Sequence, residues 1–179
     1  MKVVAIVGMT GSGKSEVARI FRANGFIPIR FGDVTDDELK KQGKPLTEEN
    51  ERTVRETFRK QCGMAAYAVL NRPRIDEALK NSDAVVDGLY SWEEYLYLKE
   101  CYGDKLVMVG VCSSPATRYT RLAKREARPL TADEARDRDH AEIENINKGG
   151  PIAMADFTLI NETSIEDLEA ATKKLIGGL

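Results

Sequence analysis

The sequence predicts an α/β fold built on a parallel sheet flanked by helices, and three observations carry that prediction. Short β-branched runs alternate with longer amphipathic stretches along the chain. Several of the short runs are apolar throughout, as strands buried on both faces are. Caps and glycines fall where the runs change type.

Taken in order, the predicted strands are Val3–Val7, Phe26–Phe31, Ala84–Asp87, Lys105–Val111 and Asp156–Ile160. Between them, apolar spacing predicts helices over Lys14–Ala23, Asp36–Gln42, Glu48–Lys60, Met64–Leu70, Arg74–Lys80, Trp92–Cys101, Pro115–Arg125, Ala132–Asn147 and Ile165–Leu175. Thr47 before Glu48-Glu49 offers a side-chain acceptor followed by negative charge at a helix start. Ser164 with Asp167 comes close to a capping box, and Gly25 and Gly103 sit where helices end. Pro73 is expected to break or restart the helical region near Asn71. The aromatic residues Trp92, Tyr95, Tyr97 and Tyr102 are expected to pack on the sheet, and Cys112 to be a buried small residue.

The 179 residues suggest one domain spanning 1–179, long enough to bury roughly 70% of the unfolded chain's surface. Apolar content of 42% and a net charge of −2 exclude a disordered chain. An isoelectric point near 5.6 argues against a general nucleic-acid binder. The three scattered cysteines, Cys62, Cys101 and Cys112, fit a reducing compartment. With His140 as the single histidine, set among charges on a solvated helix face, Ser-His-Asp hydrolysis and multi-histidine metal sites are hard to build. No apolar run reaches membrane-span length, and Val3–Val7 ends in a Gly/Thr/Ser turn without a cleavage pattern, so a cytoplasmic protein without membrane partners is expected.

One stretch departs from strand–helix alternation. Residues 33–80 exceed what a crossover between strands two and three requires, which points to a helical insert over the ligand crevice. Residues 118–138 carry seven Lys/Arg against four Asp/Glu, with a break at Arg128-Pro129-Leu130-Thr131, the composition of a short lid.

The chemistry centres on Gly8-Met9-Thr10-Gly11-Ser12-Gly13-Lys14-Ser15, which fits G-x-x-x-x-G-K-[ST] between a strand and a helix. Gly8, Gly11 and Gly13 let the backbone of Thr10 and Ser12 wrap a phosphate with N–H groups inward. Lys14 would reach the β/γ-phosphates and the Ser15 hydroxyl would ligate Mg²⁺, at the positive end of the following helix. Asp87, closing an apolar strand, is a candidate second Mg²⁺ ligand.

Phe31-Gly32-Asp33 puts a carboxylate at a strand's C-terminal end, where such sheets bind ligands. Asp33 is a candidate acceptor contact, base or ligand of a Mg²⁺ water, or else a helix cap. Arg52, Arg55 and Arg59 share one helical face, suited to an anionic acceptor or to a solvated, ion-paired surface. Arg118, Arg121 and Arg125 follow one another along a predicted helix, placed to stabilise charge on a transferring phosphoryl group. Asn161-Glu162-Thr163-Ser164, between the last strand and last helix, is where backbone atoms are expected to contact a nucleotide base.

In their order, the Gly8–Ser15 loop, Gly32-Asp33, Asp87-Gly88, Arg118–Arg125, Arg138-Asp139 and Ala155-Asp156…Asn161-Glu162 resemble nucleoside monophosphate kinases over nearly the whole chain. The sequence is most similar to a prokaryotic branch related to adenylate kinase and dephospho-CoA kinase. The resemblance implies a P-loop NTPase fold of three layers, with a five-stranded parallel sheet, a helical acceptor-binding insert and a short lid. It also implies ATP and Mg²⁺, a small-molecule nucleotide substrate, and a monomer or homodimer. On the catalytic side stand Lys14, Asp33, Arg121 and Arg125; on the nucleotide side the loop, Arg121 and Asn161; on the acceptor side Asp33, Arg52, Arg55, Arg59, Asp87, Gly88, Tyr90 and Arg138. Two departures touch the acceptor. Related kinases often carry an arginine soon after Asp-Gly where this chain has Leu89-Tyr90-Ser91, and Val34-Thr35 stands where dephospho-CoA kinases tend to have a second Asp. Three readings follow: a kinase acting on a nucleotide such as AMP, a kinase phosphorylating a sugar hydroxyl with Asp33 as base, and a nucleotide-binding regulator or slow ATPase.

Overall fold

The apolar runs become strands β1 (Val3–Val7), β2 (Ile27–Arg30), β3 (Ala84–Asp87), β4 (Leu106–Cys112) and β5 (Phe157–Ile160) in the computed structural model, which describes residues 1–126 and 129–179. Arg128, in the expected break, lies outside the described residues. All four strand pairings are parallel and the order is β2-β3-β1-β4-β5, so the strand that feeds the glycine loop lies at the centre. Position in the sheet decides which runs are apolar throughout. Every residue of β1 is buried, whereas the edge strand β5 leaves Ile160 64% exposed. Pro28 is tolerated in the other edge strand, β2.

Because side chains alternate along a strand, β1 feeds two cores. Val3, Ala5 and Val7 pack with helices α4 (Ala66–Ala78) and α5 (Trp92–Tyr102); Val4 and Ile6 pack with α1 (Lys14–Ala23) and α9 (Ile165–Gly177). The result is the expected three-layer α/β arrangement. Burial of each large side chain there contributes roughly 1.5–3 kcal/mol. Tyr95 and Tyr102 are buried in this core, with Trp92 and Tyr97 packed at its margin; Cys112 is only half-buried. Asn161 N donates to Cys112 O, joining the end of β4 to the turn after β5.

Three local expectations need correction. Pro73 does not break the chain but lies inside α4, where Tyr67, Ala68 and Asn71 before it and Ile75 and Ala78 after it are all buried. That burial outweighs the roughly 3 kcal/mol that an interior proline costs. Helix α2 (Asp33–Lys41) starts three residues early, because Gly32 O already accepts from Thr35 N and Asp36 N. Asp33 therefore opens the first turn instead of capping it, and Gly32 makes no side-chain cap. Helix α6 (Pro115–Ala123) stops short of Arg125.

The rest of the predicted insert is α3 (Glu48–Cys62), capped by Thr47, which leads back into α4. Helix α7 (Ala132–Ile146), opened by a Thr131/Glu134 capping box, ends at Asn147 and is followed by the short α8 (Gly149–Ala153). Among the described residues no helix is long and apolar enough to cross a membrane.

Candidate active site

The loop between β1 and α1 is shaped by its glycines. Gly8 has φ +149°, and a Cβ there would meet Val111 O at 2.4 Å; Gly13 has φ +103°, and a Cβ would meet Asn161 Nδ2 at 2.3 Å. Neither position admits a side chain. Gly11 passes against the backbone of Arg118. The Ser12 hydroxyl is buried without a hydrogen-bond partner among the described residues, an orphan pointing to a missing ligand. Lys14 Nζ donates to its own loop at Gly8 O (2.8 Å) and Met9 O (2.9 Å). Burial, followed by repulsion from Lys148, pulls Lys14 down to about 7. Such a cradle fits a chain of phosphates, whose charge would compensate the ammonium. Ser15 opens α1 in solvent.

Asp87 closes β3 beside Ile6 of β1. Burial raises its carboxyl, opposed by the charges of Lys14 and Arg30. The described residues contain no group of three or more His, Cys, Asp or Glu able to hold a metal by themselves. The oxygen donors Ser15 and Asp87 instead suit a Mg²⁺ completed by phosphate and water.

Alongside, a cleft of about 760 Å³ is bounded by the end of β2, helix α3, Gly88-Leu89-Tyr90 and helix α7. Arg52, Arg55, Arg59, Gly88, Tyr90 and Arg138 all line it, so the helical stripe read from the sequence does face the crevice. Most of its cations have acidic neighbours: Arg52 with Glu56 (3.0 Å), Arg55 with Glu51 (3.5 Å), and Arg138 with Glu142 (3.3 Å). Arg30 holds both Asp33 (2.9 Å) and Asp36 (2.6 Å). Arg59 differs, since its Nε is buried with no hydrogen-bond partner among the described residues. Tyr67, bonded through its hydroxyl to Thr35 (2.6 Å), gives the cleft an aromatic wall.

The arginines of α6 point elsewhere. Arg118 is 4% exposed and makes a bidentate pair with Asp139 (2.8 and 2.6 Å) while donating to Thr10 O and Ser113 O. It fastens α6 to α7 and to the phosphate loop. Arg121 donates to Asn161 O, Asn161 Oδ1 and Ser113 Oγ, and Asn161 Nδ2 donates to Ser12 O (2.8 Å). Arg121 and Asn161 thus brace the loop from behind, with the Asn161 side chain bonded to Ser12 O and to Arg121. Arg125 is exposed past the end of α6 and does not line the cleft; nor does Asp33, which is bonded to Arg30. His140 is exposed, as a solvated helix face requires.

Three participants carry weak sequence signals. Glu142, on α7, accepts from Thr10 Oγ1 (2.7 Å), Arg138 and Lys148. Burial pushes its carboxyl up, yet Lys148 and the remaining partners outweigh that and the net shift is downward. Lys148 and Arg30 complete the set. A Lys after a helix and an Arg at an edge strand read as surface residues; the Asn147-Lys148-Gly149-Gly150 turn was the available clue.

A family profile described as an AAA domain matches residues 4–146. The UPF0200 protein TK1334 of Thermococcus kodakarensis is 35% identical over 97% of this chain and 96% of its own length. Among solved structures, TT1252 from Thermus thermophilus superposes with a TM-score of 0.62 at 20% identity, covering 99% of this chain and 97% of that one. Shikimate kinase from Bacteroides thetaiotaomicron gives 0.61 at 14% identity, covering 98% of each chain. At these identities the structural likenesses establish the shared fold.

Proposed function

The chain belongs to the AAA-domain family, among the UPF0200 proteins, and from that premise we propose that it is an ATP- and Mg²⁺-dependent phosphotransferase acting on a nucleotide such as a nucleoside monophosphate. The observation that carries this reading is the arginine-lined cleft joined to the phosphate loop through Glu142, which lines the cleft and accepts from Thr10 of the loop. A loop that fits a polyphosphate, next to a cavity rich in guanidinium groups and walled by Tyr67, suits an acceptor with an anionic end and a planar body.

ATP supplies the phosphoryl group and Mg²⁺ neutralises charge on its phosphates. The chain's own part is positioning: the loop and Lys14 hold the donor, Ser15 and Asp87 hold the metal, and Arg59 with Arg55 and Arg52 hold the acceptor. Tyr90 brings no charge to the acceptor; burial, with Asp87 and Glu142 adding to it, pushes its phenol up to about 12, so it stays a neutral hydrogen-bond donor. An ionised phosphate acceptor has no proton to lose and needs no base, which agrees with Asp33 being held by Arg30.

An ADP-release assay over the nucleoside monophosphates and dephospho-CoA tests this. A nucleoside monophosphate is expected to stimulate release; release that no acceptor changes would instead support the regulator or slow-ATPase reading. A second reading, phosphorylation of a hydroxyl, has in its favour the position of Asp33 just beyond β2 and the fold shared with a shikimate kinase. Asp33→Asn separates the two. Severe loss with intact nucleotide binding points to a hydroxyl acceptor, and a mild effect to a phosphate.

A further inference from the structure

Lys148 is a fully buried lysine, 1% exposed, that neither strand nor long helix required. Its placement follows from the turn it occupies. Asn147 ends α7 in the left-handed conformation (φ 52°), and Lys148 N returns to Glu142 O. Two residues on, the backbone of Gly150 runs so close to Trp92 that a Cβ would lie 2.7 Å from the indole. The turn is pressed between α7 and α5, and the lysine side chain is directed inward.

There the ammonium donates to Glu142 Oε2 (2.5 Å) and lies 4.5 Å from the centre of the Tyr90 ring. An ammonium has three donors, and among the described residues one of them is used in a hydrogen bond. Glu142 does not depend on Lys148 for partners, since Thr10 and Arg138 also bind it. Burial lowers Lys148 as it does Lys14, and each of the two is further lowered by the nearby Arg138. Lys148 and Arg138 thus meet on Glu142, which also accepts from Thr10 of the phosphate loop and lines the cleft, and the half-buried Lys14 feels the charge of both. Buried cations in mutual repulsion are costly unless an anion joins them.

We propose that Lys148 is a second phosphate-binding lysine, contacting the phosphoryl group in transit from the acceptor side and exchanging Glu142 for phosphate oxygens as it does so. The proposal rests on the phosphotransferase reading. In the transfer, an acceptor oxygen forms a bond to the γ-phosphorus, the bond from phosphorus to the bridging oxygen breaks, and that electron pair stays on ADP. Lys148 keeps its proton throughout and offsets charge on the equatorial oxygens. It supplies the cation that Tyr90, whose ring it covers, does not.

The test is calorimetric binding of ADP alone and of ADP with aluminium fluoride, which mimics the planar phosphoryl group, both with Mg²⁺. Lys148→Met should leave ADP affinity unchanged and weaken the fluoride complex about 100-fold. Glu142→Gln, which frees the ammonium, should tighten the fluoride complex, and the double variant should lose that gain. Equal binding of the fluoride complex by wild type and Lys148→Met, or equal loss of both ligands, overturns the inference while the phosphotransferase reading stands. Should Lys148→Met not fold, Glu142→Gln decides alone: no tightening means that Lys148 merely anchors α7. A wild-type protein that binds no ADP overturns the phosphotransferase reading, and this inference with it.

Discussion

The phosphate loop and the arginine cleft adjoin each other, yet they hold their cations in opposite ways. In the loop, Lys14 is half-buried, bonded to backbone carbonyls and repelled by Lys148, and the glycine geometry leaves the chain no alternative course. In the cleft, Arg52, Arg55 and Arg138 rest on acids one helical turn away, and the exposed Arg52–Glu56 pair is one that a ligand can displace at little cost. The difference separates a preformed site, which holds one kind of ligand, from an adjustable one, which sets the choice of acceptor.

Lys14→Ala is the sharpest break. It should cut phosphoryl transfer by at least ~10³-fold, and steady-state turnover at the wild-type level would refute the assignment of the loop. Next comes the seam between the regions. Arg118→Ala leaves Asp139 buried with Tyr119 as its side-chain partner among the described residues and should cost roughly 3–5 kcal/mol, read as a lowered midpoint in thermal or urea unfolding. Within the cleft, Arg59→Ala should raise the acceptor KM by about tenfold or more, in keeping with the loss of a charge-assisted bond. Arg52→Ala, at an exposed pair, should change stability by less than ~1 kcal/mol. Equal effects of the two substitutions on KM would remove the special status given to Arg59.

Protonation sharpens the contrast further. An unfolded Lys14 keeps its proton up to its usual 10.5, whereas the folded one releases it near 7. Between those values the unfolded chain binds more protons, so this residue makes stability rise with pH. Lys14→Met should therefore be more stable than wild type at pH 6, with the gap narrowing from pH 7 towards 10.5 in a series of melts. Binding of ADP at pH 8 should draw a proton back onto Lys14, seen as a binding heat that varies with the buffer's ionisation enthalpy. A buffer-independent heat would count against the strained lysine.

How far the sequence reached divides along the same line. The loop was legible because local spacing of Gly8, Gly13, Lys14 and Ser15 specifies both its shape and its ligand. The sheet was legible because β1 and β4 are apolar along their length and β3 is apolar up to Asp87. Helical spacing put Arg52, Arg55 and Arg59 on one face, but which face met the cleft is a matter of packing. For α6, packing again adds what spacing does not carry: Arg118 meets Asp139 of α7, a contact across 21 residues that no local pattern encodes. Pro73 misled for a related reason, since tertiary burial of α4 overrode its local preference. Lys148 was hidden because a buried lysine and a solvated one look alike in a sequence.

The brace from Asn161 also bears on timing. Its side chain holds Ser12 O and fills the space over Gly13, reaching across 149 residues from the far end of the chain. During synthesis the whole signature loop would emerge early and stay unshaped until β5 docks at the sheet's edge. Nucleotide affinity then marks the completion of folding, and a ligand added to a refolding mixture would capture only chains whose last strand is in place.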